Sequence, residues 1–164
     1  MPIKTAGDLF IHGLSNIYSA EKQVARALPR LARAAWNPEL AKAFSAYLEQ
    51  NHGQVDRIDR VSELLSVHPK RLQCAAMEAL IDETKEVMDK IETGVVRDAA
   101  LLDGAQKVTH YAIASYGTIS ALATQLEYGD VLPLLLKTLE EKNASHEKFK
   151  LLAESGAMAF AAAG

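Results

Sequence analysis

Cysteine is nearly absent: Cys74 is the single one in 164 residues. That excludes an intrachain disulfide and a cysteine-type zinc cluster, and a reducing compartment fits. Glycine and proline are sparse, at 9 and 5, and runs of consecutive β-branched residues are few, which argues against a strand-and-turn architecture. No apolar run is long enough to cross a bilayer. The start, MPIKTAGDLF, lacks the basic segment, apolar stretch and small-residue cleavage site of a secretory leader. Positive charge is not in excess either: 18 Lys and Arg stand against 21 Asp and Glu, for a net −3. A broad cationic face for nucleic acid is therefore disfavoured. The expectation is a cytoplasmic protein without nucleic-acid or membrane partners.

What is present is apolar and helix-forming. Hydrophobic residues make up 49% of the chain, many of them Ala and Leu, and the length suits a single domain, 1–164, with one core. Thr5 opens an apolar-periodic run that predicts a helix to about Ala34, with Pro29 bending its last turn. Asn37 followed by Pro38 is an N-cap with proline at the first helical position, predicting a second long helix to about Ser66. A shorter amphipathic segment follows over 73–92, then a third long helix over 95–126 and a fourth from near Asp130 to about Glu154. Four long helices and a short one predict an all-α bundle with its core over 5–154. The Ala-rich end after Gly156 reads as a frayed tail or a packing arm.

Several polar residues fall inside apolar stripes. At about 100° per residue, Glu21 lies on the line of Phe10, Leu14, Ile17, Val24 and Leu28. A buried carboxylate needs a cation, a donor network or water, so a hydrogen-bonded core carboxyl and a metal ligand both remain open. Lys142 and His146, one turn apart, fall within the stripe Val131, Leu135, Leu139, Phe149 and Ala153. The lysine either pairs with an anion on a neighbouring helix or carries its ammonium to the bundle edge. The histidine reads as a satisfied core imidazole or a ligand. On the second helix, Glu49-Gln-Asn-His52 has the i, i+3 spacing that chelates metal in ferritin-like bundles. Yet Glu49 sits on the far side from the strongest apolar line, Leu40, Phe44, Tyr47, Val55 and Ile58, which favours a solvated face over a ligand. The inner line of the third helix carries Ala112 and Tyr116 with Thr109 on its flank, none of which ligates a metal well, and His110 points outward. Lys22, Arg26, Arg30 and Arg33 form a basic face late in the first helix, read as dipole complement and solubility, with anionic-partner binding as the lesser reading.

The segments KTAGDLFIHGLSNIYSAEKQVARALPRLARAA, LEQNHGQVDRID, CAAMEALIDE and VRDAALLDGAQKVTHYAIASYGT together resemble the YciF-type bacterial stress proteins, to about Ala153. The resemblance implies a fold similar to ferritin and rubrerythrin, a four-helix bundle with an added short helical hairpin, and a homodimer. It also implies a bacterial stress response, with no settled activity. It places Glu21 in the first-helix metal role and Glu49 with His52 in the second-helix role. The other half departs from the family. VTHYA stands where VEHYE is typical, so Thr109 and Ala112 occupy two carboxylate positions. Lys142 replaces a family acid, and His146 stands where an Asp is usual.

Two functional expectations follow. The first is a stress-response bundle with an incomplete di-metal site, non-catalytic or regulatory, in which Lys142 pairs with Glu21 or Glu49 in place of lost metals. The alternative is a metal-dependent oxidoreductase acting on peroxide or oxygen, with the metal held by Glu21, Glu49, His52 and His146. The cofactor stays open between iron or manganese and none, and with it whether the protein is an enzyme. Iron storage would need a cage and a nucleation surface that one chain does not display.

Overall fold

The helix starts are set by local chemistry. Thr5 caps the first helix, α1 (Ala6–Ala34): its hydroxyl accepts from the Asp8 N–H while the Asp8 carboxylate accepts from the Thr5 N–H, a reciprocal box. Pro29 lies inside α1, which continues past it to Ala34. Asn37 accepts from the Glu39 N–H at 2.9 Å and opens α2 (Pro38–Leu65), which ends at Ser66 in the left-handed region, φ 53°. The expected short helix is α3 (Ala75–Asp89). It is trimmed at both ends relative to 73–92, because 67–74 runs outside helix and Lys90 and Ile91 close a tight turn onto Val87 and Met88. The long helices α4 (Val95–Gln125) and α5 (Leu132–Glu154) follow, separated by a turn in which the Val131 N–H donates to Tyr128.

The structure is a computed structural model and describes residues 2–155. The Ala-rich end after Gly156 lies outside the described residues. Within them the fold is all-α, and the four long helices form a closed cycle: α1 packs on α2 and α4, and α5 packs on α4 and α2. Short turns make α1–α2 and α4–α5 antiparallel hairpins, and the long connection between the hairpins carries α3 across α4 and α1. One extra helix thus stands where the resemblance implied a helical hairpin.

The apolar core has two halves. One gathers Val24, Leu28, Phe44, Met77, Leu101 and Phe149; the other gathers Phe10, Leu14, Ile58, Tyr116, Ile119 and Leu135. A polar belt runs between them, because Glu21, Asn51, Gln54, Thr138 and Lys142 are all buried at mid-height. At the end of the bundle where α1 turns into α2, the buried Asp98 carboxylate accepts from the Trp36 and Asn37 N–H groups at 2.7 and 2.8 Å. This satisfies donors that the turn would otherwise leave orphaned.

Gly104 lets α3 lie close on α4. A Cβ built there would fall 2.9 Å from the Thr84 Cβ and closer still to its branches. Gly104→Ala should therefore destabilise the protein by about 1–3 kcal/mol, as overpacking does, although alanine favours a helix interior. Thr84→Ala in the same chain should restore part of that loss, since it removes both branches and leaves the Cβ contact. Urea unfolding of the three variants checks both expectations.

Candidate functional site

Each of the four long helices contributes to the belt. On α2 the inward line runs Leu40, Phe44, Tyr47, Asn51, Gln54, Ile58 and Val61, all buried. These steps of four and three keep one face inward. Glu49 is about 200° from Tyr47, and His52 is about 100° from Asn51. Both side chains are exposed.

The centre is Glu21, at 3% exposure. Lys142 from α5, at 0%, places its Nζ 2.9 Å from Glu21 Oε1 and 3.1 Å from Oε2. Its ammonium also donates to the Tyr47 hydroxyl at 3.1 Å and lies 4.7 Å from the centre of that ring. From α4, Tyr116 donates to Glu21 Oε1 at 3.0 Å. From α2, Asn51 Nδ2 donates to Glu21 Oε2 and, at 3.1 Å, to the Glu21 carbonyl. One carboxylate on α1 thus accepts from the other three long helices. Ala112 lines the small space beside the pair, about 10 Å³.

A second cluster extends the belt to the α2–α5 seam. Arg57 makes a two-pronged pair with Glu141 at 2.7 and 2.8 Å, Gln54 donates to the same carboxylate at 3.1 Å, and Arg57 also donates to Thr138. Asn51 Oδ1 and Gln54 Oε1 are buried without a protein partner.

Protonation follows from this geometry. Burial alone would lower the Lys142 pKa, but the Glu21 carboxylate, with Tyr47, outweighs it and the net direction is upward. Burial raises both Tyr47 and Tyr116, the latter well above its ordinary value with the Glu21 charge reinforcing the effect. The Arg57 hydrogen bonds hold Glu141 below the usual carboxylate range. Burial and the neighbouring His110 lower His146.

The four proposed metal ligands do not meet. Glu21 is committed to Lys142, Tyr116 and Asn51. Glu49 and His52 face outward, because the 4–3 spacing of the apolar residues, and not the Glu-x-x-His spacing, sets the rotation of α2. His146 is half-buried beside Thr109 Oγ1 at 3.4 Å, with its ring 4.1 Å from that of His110. Thr109 is buried and its hydroxyl donates within α4, to Ala105 and Gln106. Among the described residues, no group of three or more His, Cys, Asp or Glu side chains could share a metal ion. The donor set present therefore does not fit a di-metal centre, nor the single-metal set Glu21, Glu49, His52 and His146. The pairing of Lys142 is with Glu21 and not with Glu49. Tyr47 lies on the inward apolar line that the sequence shows, while the inward roles of Asn51 and Gln54 are not apparent from it, although extending the 4–3 spacing past Tyr47 lands on both amides.

Lys142→Met should cost about 3–5 kcal/mol, since it leaves the Glu21 charge buried and unpaired. Adding Glu21→Gln to it should recover a large part, because the buried charge is gone and the amide oxygen still accepts from Asn51 while its NH2 can donate to the Tyr116 hydroxyl; urea unfolding measures both. Lys142 has a folded pKa above its ordinary 10.5. Its stabilisation is therefore complete below that value and lost as pH rises through the folded pKa. Tyr47 and Tyr116, raised from 10.0, act in the same direction, because the unfolded phenols ionise first. Stability should fall as pH rises beyond 10, more gently in the double variant, and melts across that range read the difference.

The family described as "Domain of unknown function (DUF892)" matches residues 5–162. Protein YciF of Escherichia coli K12 is 54% identical over 154 residues, covering 93% of each chain. The crystal structure of the E. coli stress protein YciF superposes with a TM-score of 0.89 at 53% identity, covering 92% of this chain and 96% of that one. YcfI of Rhodopseudomonas palustris gives 0.87 at 38%, covering 90% and 94%. A Xanthomonas campestris protein gives 0.74 at 17%, covering 95% and 96%, a likeness of fold alone. No described helix is long and apolar enough to cross a membrane. The chain is homologous to the stress protein YciF and belongs to the DUF892 family.

Proposed function

We propose that this protein is a non-catalytic, structural or regulatory member of the bacterial stress response, built on a ferritin-like bundle whose di-metal site has been replaced by a buried ion pair. The observation that carries this reading is the Lys142 ammonium held 2.9 Å from the Glu21 carboxylate with both side chains buried. The two-hairpin connectivity with one long crossover supports the ferritin-like part. In such bundles about four carboxylates face two divalent ions. Here the ammonium supplies the countercharge, and a cation entering the belt would meet a fixed positive charge at close range. Thr109 and Ala112, where the family resemblance expects carboxylates, fit the same replacement. The small Ala112 leaves room beside the pair. The relative described as a stress protein supports the physiological setting. A cytoplasmic homodimer is the assembly this reading takes.

The oxidoreductase alternative has no observation in its favour, since its ligands are dispersed. Elemental analysis of protein purified without chelators separates the two. Iron and manganese should be far below one equivalent per chain, and Glu21→Ala should not change that content. About two equivalents per chain, the complement of a working di-metal bundle, would overturn the proposal.

A further inference from the structure

Away from the belt, a cleft of about 400 Å³ opens between α1 and the 69–73 segment that leads into α3. Its α1 wall carries Ser15, Tyr18, Ser19, Lys22 and Arg26, spaced to share one helix face, and its other wall adds Lys70 and Arg71. Four cations and no acid line it, in a chain whose net charge is −3. None of the four makes an ion pair among the described residues. That sets them apart from Arg30 on the same helix, which is paired with Asp89 at 2.7 Å. Asp8 senses the Lys70 charge, but its carboxylate is engaged by the Lys4 and Thr5 N–H groups.

The walls are held in place. The Lys70 N–H donates to Ser15 Oγ at 2.8 Å and the Cys74 N–H to Ser19 Oγ at 2.9 Å, which pins the segment to α1 at both ends. Arg26 Nε donates to the Lys22 carbonyl at 3.2 Å, which orients the guanidinium and leaves its two terminal nitrogens without a partner among the described residues. Lys22 Nζ sits 4.2 Å over the Tyr18 ring. Unpaired cations on a fixed frame are arranged for anion recognition, because less ordering entropy is lost when a ligand arrives.

We infer that this cleft binds a small polyanion of the phosphate type, a di- or triphosphate group, held between Lys22 and Arg26 on one side and Lys70 and Arg71 on the other. Lys22 covers one face of the Tyr18 ring, and the cleft's charged lining is entirely cationic. Binding therefore follows the phosphate chain, whether it comes free or as part of a nucleotide.

Calorimetric titration of the full chain with sodium tripolyphosphate at low salt tests this. Saturable binding at one site per chain is expected, weakening by about ten-fold or more in Arg26→Ala/Arg71→Ala, since charge-assisted guanidinium contacts are the strong ones. Lys137→Ala/Lys150→Ala, which removes the same charge from α5, should change it little, and thermal melts establish that each variant is folded. A nucleoside triphosphate should bind no tighter than tripolyphosphate, and a nucleoside not at all. The inference fails if no saturable heat appears at millimolar ligand. It fails equally if the α5 variant loses as much affinity as the cleft variant. It also fails if a nucleoside competes, or if duplex DNA at matched phosphate concentration binds more tightly than tripolyphosphate.

Discussion

A single carboxylate, that of Glu21, sets the terms for the rest of this bundle. Removing it from water is costly, and the cost is offset only if the pocket supplies charge and donors together. The protein supplies both, with an ammonium from α5, a phenol from α4 and an amide from α2. Each donor comes from a different helix, so the rotation and height of every long helix are constrained by one oxygen pair. The two apolar halves on either side could slide without much loss of buried area, because apolar packing is poorly directional. The belt makes sliding unfavourable. A buried polar group used in this way stabilises one register rather than adding net stability, a use best known from polar positions in helical seams.

Much of the fold was legible because its signals are local. Thr5 with Asp8, Asn37 with Pro38, and the 3.6-residue periodicity mark helices that the structure reproduces within a few residues. The polar anomalies Glu21 and Lys142 were legible too, since a charged residue on an apolar line has few explanations. Asp98 was not, because its role rests on two backbone N–H groups some sixty positions away in the chain. Nothing near it in sequence announces them.

The α2 ligands show where reading by motif gives way to reading by packing. Glu49 and His52 have a spacing that chelates metal when it faces inward, but spacing does not fix rotation. Rotation is decided by which residues the neighbouring helices bury, and Phe44, Tyr47 and Ile58 bring Asn51 and Gln54 inward with them. A helix presents only one face to a core, so a candidate site on α2 had to lie on that line. The YciF homology establishes the scaffold, while the belt's donors decide what this member's scaffold can hold.

Glu21 and Lys142 are 121 positions apart, one in each helical hairpin. During folding each hairpin can form from contacts near in sequence, while both charged groups remain hydrated. Their meeting must wait for the hairpins to dock, and docking is what strips their water. A misregistered docking would trap either charge dry and alone, an arrangement costly enough to reopen. The pair therefore penalises misaligned assembly, because only the native alignment lets each charge be buried with its partner.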